Sequence, residues 1–263
     1  MEKLIITVAP VGSVPRKKDT KFVPITPDEI AEDSYQCYLA GAAVTHVHAR
    51  DSQENTVHEI DIFQEIHDKI KEKAPNMIVQ ISTGGRAGLT YESRSKGLQL
   101  NPEMASLTTG SCNFPNMVYE NSPELVDRMA EEMHIRDIKP ELEIFDTSMI
   151  QPALDLYKNG KLKDPLYFNF VMGLKGGQPA TVHQLTHLLT MIPKGAIWNI
   201  SGVGRAQILT TFFGIALGGH VRVGLEDNIY YAKGRLASNV ELVKRVVRLA
   251  GEFGREVASS DEA

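Results

Sequence analysis

The chain has 263 residues, 42% hydrophobic and 23% charged, the balance of a soluble globular protein long enough for a single ~250-residue α/β core. Its 28 Lys and Arg against 33 Asp and Glu leave a formal net charge of −5, which withholds the basic footprint that nucleic acid or an anionic membrane surface requires. The apolar, uncharged stretch 206–219 is shorter than the ~18 apolar residues of a bilayer span, the Met-Glu-Lys start makes no signal peptide, and Cys37 and Cys112 make no disulfide scaffold, so a cytoplasmic protein is expected.

Short apolar, β-rich runs alternate with helical stretches along the chain. The first run, 4–10, leads through Arg16-Lys17-Lys18, a solvated run of charge, to Thr26-Pro27-Asp28-Glu29. Those four residues supply an N-cap, a proline at the first helical position and a capping-box glutamate, and Gly41 stands where a helix end favours positive φ. Runs 44–50 and 77–83 follow, the second leading into a connection at 86–100 with weak helical character. Run 104–110 precedes a second start signal at Ser122-Pro123, and runs 140–146, 167–173, 196–202 and 220–227 bring the total to eight. Ser238 with Glu241 makes another capping box, opening a helix whose Val240, Val243, Val247 and Ala250 form an amphipathic face ending near Gly251.

Nearly continuous apolar runs suit parallel strands buried on both faces, and eight βα units fit an α/β fold of the (β/α)8 TIM-barrel type. An open doubly wound sheet has the same alternation and is the competing architecture. One domain over 1–257 is expected, with 258–263 as a disordered tail.

In a barrel, strand C-terminal ends and the loops after them carry the chemistry. The second run ends in His46-Val47-His48, and residues two apart on a strand share a face at about 6.5–7 Å, so both imidazoles can reach one metal. The eighth run ends in Glu226-Asp227, and strands 8, 1 and 2 are neighbours around a closed barrel. Glu226 as third ligand gives a His2Glu set with open positions, suited to Zn2+; the alternative is a pair of solvated loop acids. Ser82 beside Gly84-Gly85 offers a hydroxyl and approachable backbone N–H groups for a substrate carboxylate, unless the segment is an ordinary tight turn. Thr108-Thr109-Gly110-Ser111 is a similar polar cluster. Glu143 on the fifth run needs a buried partner such as Arg222. Gly-rich loops follow the sixth and seventh runs at 173–177 and 202–205, and the second could receive a phosphorylated cofactor, although no complete dinucleotide fingerprint, P-loop, GxSxG elbow or HExxH is present.

HVHARD at 46–51 and VRVGLEDN at 221–228, supported by ITVAP at 6–10, ITPDEIAED at 25–33, QISTGG at 80–85 and PEMASL at 102–107, resemble the beta-keto acid cleavage enzymes along nearly the whole chain. The resemblance implies a (β/α)8 barrel whose catalytic Zn2+ is held by His46, His48 and Glu226. It further implies condensation of a β-keto acid with the co-substrate acetyl-CoA and a retro-Claisen step giving acetoacetate and a new acyl-CoA. Asp227 then corresponds to the general base, Arg222 and Glu143 to its supporting partners, and Ser82, Thr83, Gly85, Thr108 and Ser111 to residues that bind the substrate carboxylate. A homotetramer is implied as well. Family members that accept an amino-bearing keto acid carry a carboxylate in the loop after the first strand; here Val11-Gly12-Ser13-Val14 has none before Asp19. That favours an apolar, hydroxylated or anionic substrate side chain over a cationic one. A zinc-dependent aldolase-type lyase, a hydrolase and a non-catalytic zinc-binding barrel remain alternatives on the residues alone.

Overall fold

Each of the eight apolar runs supplies one strand of a closed parallel barrel in the computed structural model, which describes residues 2–85, 87–114 and 116–263. The strands are β1 (Ile6–Val8), β2 (Val44–Val47), β3 (Ile78–Ile81), β4 (Met104–Thr108), β5 (Lys139–Ile144), β6 (Tyr167–Met172), β7 (Ile197–Gly202) and β8 (His220–Val223). Closure is carried by β1, which pairs with β8 through Ile6 and Val221 and with β2 through Thr7 and Val44. A sheet closed through its first strand excludes the doubly wound alternative.

The helices are α1 (Pro27–Leu39), α2 (Ile60–Lys73), α3 (Tyr91–Arg94), α4 (Pro123–Ile135), α5 (Ile150–Lys158), α6 (Val182–Met191), α7 (Ala206–Leu217) and α8 (Asn239–Phe253). Both capping boxes form, Thr26 with Glu29 and Ser238 with Glu241, satisfying backbone donors that the first helical turn leaves free. The weak third connection is a single α-turn followed by a 3₁₀ segment, Lys96–Leu100; Arg86, at its start, lies outside the described residues. Helix α8 turns its buried face slightly from the expected one, onto Leu242, Val243, Val246 and Ala250, and runs to Phe253 before Gly254 at φ 79°. Val240 and Val247 are partly buried at the rim of that face. Apolar residues occur so densely here that several neighbouring stripes satisfy a helical period.

Residues of β1–β3 pack with α1, α2 and α8, and residues of β4–β7 pack with α4, α5 and α6. The expected disordered tail is a correction. Its residues close the N-terminal end of the barrel: Ala258 donates its N–H to Leu4 and Ser260 donates its hydroxyl to the Ala43 carbonyl. Ala258 sits in a small apolar cluster with Ile5, Ala43, Val44, Met104 and Tyr167, and Ser260–Glu262 forms a 3₁₀ turn tied to Lys3. The small Ala and Ser side chains that read as unstructured let the chain lie flat across the strand ends.

Three short hairpins follow the C-terminal ends of strands and so belong to the opposite, functional rim. They pair Ala49–Arg50 with Thr56–Val57, Cys112–Phe114 with Met117–Tyr119, and Tyr230–Ala232 with Arg235–Leu236. Among the described residues, no helix is long and apolar enough to cross a membrane.

Candidate active site

His46 is the third residue of β2, and His48 follows one residue beyond its end. Their Nε2 atoms converge to 3.3 Å, and Glu226 from the loop after β8 meets both, at 3.6 Å from His46 and 3.3 Å from His48. A tetrahedral ion bonded at ~2.0–2.1 Å has its ligand atoms about 3.3–3.4 Å apart, so the donor spacing fits Zn2+. The protonation states fit as well. Gln80 offers its amide oxygen to His46 Nδ1 at 2.6 Å, which holds that ring in the tautomer with a free Nε2 lone pair. Burial, with the Arg222 charge nearby, pushes His46 down to about 3, so it stays neutral. Burial would raise Glu226, but the Arg222 charge holds it well below the usual carboxylate range. Its buried Oε2 has no hydrogen-bond partner, as expected of an atom facing a cation.

Arg222, on β8 and 3% exposed, is the hub of the charge network. Its Nε and Nη2 donate to both oxygens of Asp227 at 3.0 and 3.2 Å, Nη2 also meets Glu226 at 2.8 Å, and Nη1 meets Glu143 at 3.5 Å. Burial would pull this guanidinium down, but Asp227, Glu226 and Glu143 keep it fully charged. One guanidinium among three carboxylates leaves two negative charges uncompensated in a buried site, the charge that a dication neutralises. Burial pushes Asp227 up to about 6 against the pull of Arg222, close to the range of a base working at neutral pH. Below this layer Glu141 accepts from Asn169 and Asn199, and burial raises it to about 7.

The expected carboxylate loop is divided in its roles. Ser82 Oγ accepts from Gly84 N–H at 3.2 Å and keeps its own hydrogen to donate. Thr83 spends its hydrogen on the Ser106 carbonyl at 2.6 Å, fixing the loop to β4. Gly85 lies against Arg94, whose Nε donates to the Thr83 carbonyl at 2.7 Å; a Cβ on Gly85 would fall 2.7 Å from Arg94 Cδ. Thr108 reaches into the charge network, donating to Glu143 at 2.7 Å. Ser111 is exposed and accepts from the Asn121 N–H at 2.8 Å, at the foot of a hairpin rather than in the charge network.

The model of one protein family, described as beta-keto acid cleavage enzyme, matches residues 3–263. The chain belongs to that family. A 3-keto-5-aminohexanoate cleavage enzyme of Fusobacterium nucleatum is 42% identical over 265 residues, covering 100% of this chain and 97% of that protein. A 3-oxoadipate:acetyl-CoA acetyltransferase of Cupriavidus necator is 44% identical over 263 residues, covering 98% and 92%. Among solved structures, apo ObcA superposes with a TM-score of 0.80 at 22% identity, over 92% of this chain and 64% of that chain. At that identity it speaks for the barrel alone. Membership in the beta-keto acid cleavage enzymes makes the chain a carbon–carbon-bond-cleaving enzyme of the acyl-transfer class.

Within this family member, sequence reasoning overlooked Gln80, Tyr119 and Arg94. Gln80 was legible in principle, because its strand position is level with His46 in the β2–β3 register. Arg94 and Tyr119 come from connections whose course no periodic signal reveals. Arg94 ties Thr83 to the Glu120 carbonyl and the Asn121 side chain.

Proposed function

We propose that the chain is a zinc-dependent beta-keto acid cleavage enzyme, converting a β-keto acid and acetyl-CoA to acetoacetate and a new acyl-CoA. The observation that carries this reading is Asp227, buried, gripped at both oxygens by Arg222 and adjacent in sequence to Glu226 of the His46–His48–Glu226 cluster. His46, His48 and Glu226 are the residues that would hold the ion. When bound, it supplies Lewis-acid polarisation of the substrate keto oxygen.

The protein's own groups account for the rest. Asp227 takes the proton from the carbon between the keto and carboxyl groups, and Arg222 keeps the carboxylate oriented. The resulting carbanion attacks the thioester carbonyl of acetyl-CoA, forming a carbon–carbon bond and expelling CoA thiolate. The thiolate adds to the original ketone, the bond between that ketone and the central carbon breaks, and acetoacetate leaves with the proton returned from Asp227. Ser82 and the backbone around Gly84 and Gly85 bind the substrate carboxylate, with Thr83 holding their loop and Thr108 holding Glu143. Ser111 contributes by anchoring the hairpin foot.

The substrate side chain is uncharged or anionic, because residues 11–14 after β1 carry no acid. That choice lies between the two relatives, one named for an amino-bearing and one for a dicarboxylic keto acid. A cytoplasmic homotetramer completes the proposal; exposed Leu209, Phe212 and Leu217 on α7 support association between copies. The test is acetoacetate formation by zinc-loaded protein from acetyl-CoA and a panel of β-keto acids. Turnover that requires both substrates supports the reading, and the preferred panel member reports the side chain. Zinc bound at one per chain with no turnover across the panel rejects it.

A further inference from the structure

Tyr119 ends the hairpin after β4 and is 7% exposed, its ring packed against Phe114 at 5.1 Å and Phe145 at 5.7 Å between centroids. Its hydroxyl lies 3.0 Å from Thr108 Oγ1, and 3.0 Å from where a Cβ on Gly84 would stand. Thr108 Oγ1 donates in turn to Glu143 Oε2 at 2.7 Å, and Glu143 Oε1 faces Arg222.

The direction of this chain follows from the number of hydrogens. A threonine hydroxyl has one, and here Glu143 receives it. The contact with Tyr119 therefore has a single polarity, with the phenol donating to Thr108. Donors run from Tyr119 to Thr108 to Glu143, and Arg222 meets the same carboxylate from the other side while holding Asp227. Without the phenol, Thr108 keeps a free lone pair and can turn its hydrogen elsewhere; Glu143 then loses its fixed donor.

We propose that Tyr119 is a positioning residue for the base: its hydroxyl sets the Thr108 hydroxyl toward Glu143, and Glu143 sets the Arg222 guanidinium that carries Asp227. The inference rests on Asp227 acting as the base in the function proposed above.

Wild type, Tyr119→Phe, Thr108→Val and the double variant, all zinc-loaded, are compared in two assays. One is acetoacetate formation; the other is deuterium uptake from D2O into the α-position of the keto acid, above the buffer blank, with acetyl-CoA left out. Tyr119→Phe is expected to lower kcat and α-exchange by about tenfold, a size typical of coupled contacting residues, with KM and the urea midpoint little changed. The double variant is expected to be no slower than Thr108→Val alone, because Tyr119 acts through Thr108. Wild-type rates in Tyr119→Phe overturn the inference, as do losses that multiply in the double variant or that follow only the unfolding midpoint. If wild type exchanges α-protons yet makes no acetoacetate, the acetyl-CoA reading falls and the exchange rates still decide on Tyr119. No exchange by wild type overturns both.

Discussion

A Cβ placed on Gly12 would fall 2.2 Å from Cγ and 2.8 Å from Cδ of Glu226, so the loop after β1 forms one wall of the carboxylate's seat. That loop is not free to withdraw, because the buried Arg50 donates to the Gly12 carbonyl at 2.7 Å and to the Pro15 carbonyl at 2.9 Å. Close approach, rather than any backbone angle, is what requires glycine here. Gly12→Ala is therefore expected to push Glu226 away from His46 and His48 and weaken zinc binding by about tenfold or more, the scale at which disturbing a ligand's support is felt. Zinc titration against a competing chelator measures it. Unchanged affinity would mean that Glu226 is not held as a ligand in this position.

Gln80 makes a separate demand on the same cluster. Its amide oxygen is the acceptor that keeps the proton on His46 Nδ1. Gln80→Leu conserves bulk and removes that acceptor, leaving the buried ring free to adopt the tautomer that presents N–H where the lone pair is needed. Zinc affinity is expected to fall about 10- to 100-fold while the far-UV circular dichroism stays that of the wild type. Equal affinity in the two proteins would count against His46 as a ligand.

The contrast between Glu226 and Gln80 shows what kind of information the sequence carries. His46 and His48 were visible because a strand's two-residue period brings them to one face, and Glu226 because closure makes β8 and β2 near neighbours across β1. The caps at Thr26 and Ser238 were visible because they act within four residues. The partners of the hydroxyls were not: Thr83 donates to the Ser106 carbonyl, and Ser111 accepts from the Asn121 N–H. Those partners lie 23 and 10 residues away and leave no periodic trace. Tyr119 was hidden for the same reason, since only the hairpin's path returns it to Thr108. The tail was misread because composition reports flexibility, whereas burial at the barrel's end depends on where β1 and β2 begin.

The tail yields a stability prediction. Deleting 258–263 removes Ala258 from its apolar cluster and the hydrogen bonds to Leu4 and Ala43. At about 1 kcal/mol for each hydrogen bond and a similar amount for the apolar area, the loss is about 3 kcal/mol. A lowered urea midpoint with an unchanged zinc affinity is expected, because the tail lies at the end of the barrel away from His46 and His48. A midpoint equal to the full chain's would show that the tail carries no stabilising contacts.

Asp33 on α1 gives stability a pH dependence of its own. Burial pushes it up to about 6 from its ordinary 3.8, although Asn239 donates to it while also bonding the Pro10 carbonyl and the Leu225 N–H. A carboxyl raised on folding favours the folded state only while protonated; its benefit is full below the unfolded pKa and is lost as pH climbs through about 6. Asp33→Asn keeps an acceptor for Asn239 and removes the charge. Relative to wild type it is expected to gain stability between pH 4 and pH 8, by at most about 3 kcal/mol from a shift of roughly two units. Urea unfolding at the two pH values measures the difference, and a gap that does not grow with pH refutes the assignment.

Asp227→Asn separates chemistry from architecture in the charge network. The amide keeps one acceptor for Arg222 and leaves Glu226, His46 and His48 untouched, so zinc is expected to stay near one per chain. What disappears is the basic oxygen. Acetoacetate formation should then fall by about 10²- to 10⁴-fold, the range attributed to a positioned general base, and α-proton exchange should fall with it. Loss of turnover with loss of zinc would instead assign Asp227 to the upkeep of the metal centre, through Arg222 and its 2.8 Å contact to Glu226. Full activity with full zinc would remove Asp227 from the reaction and send the search for a base to Glu143, the carboxylate outside the metal cluster that Arg222 also holds.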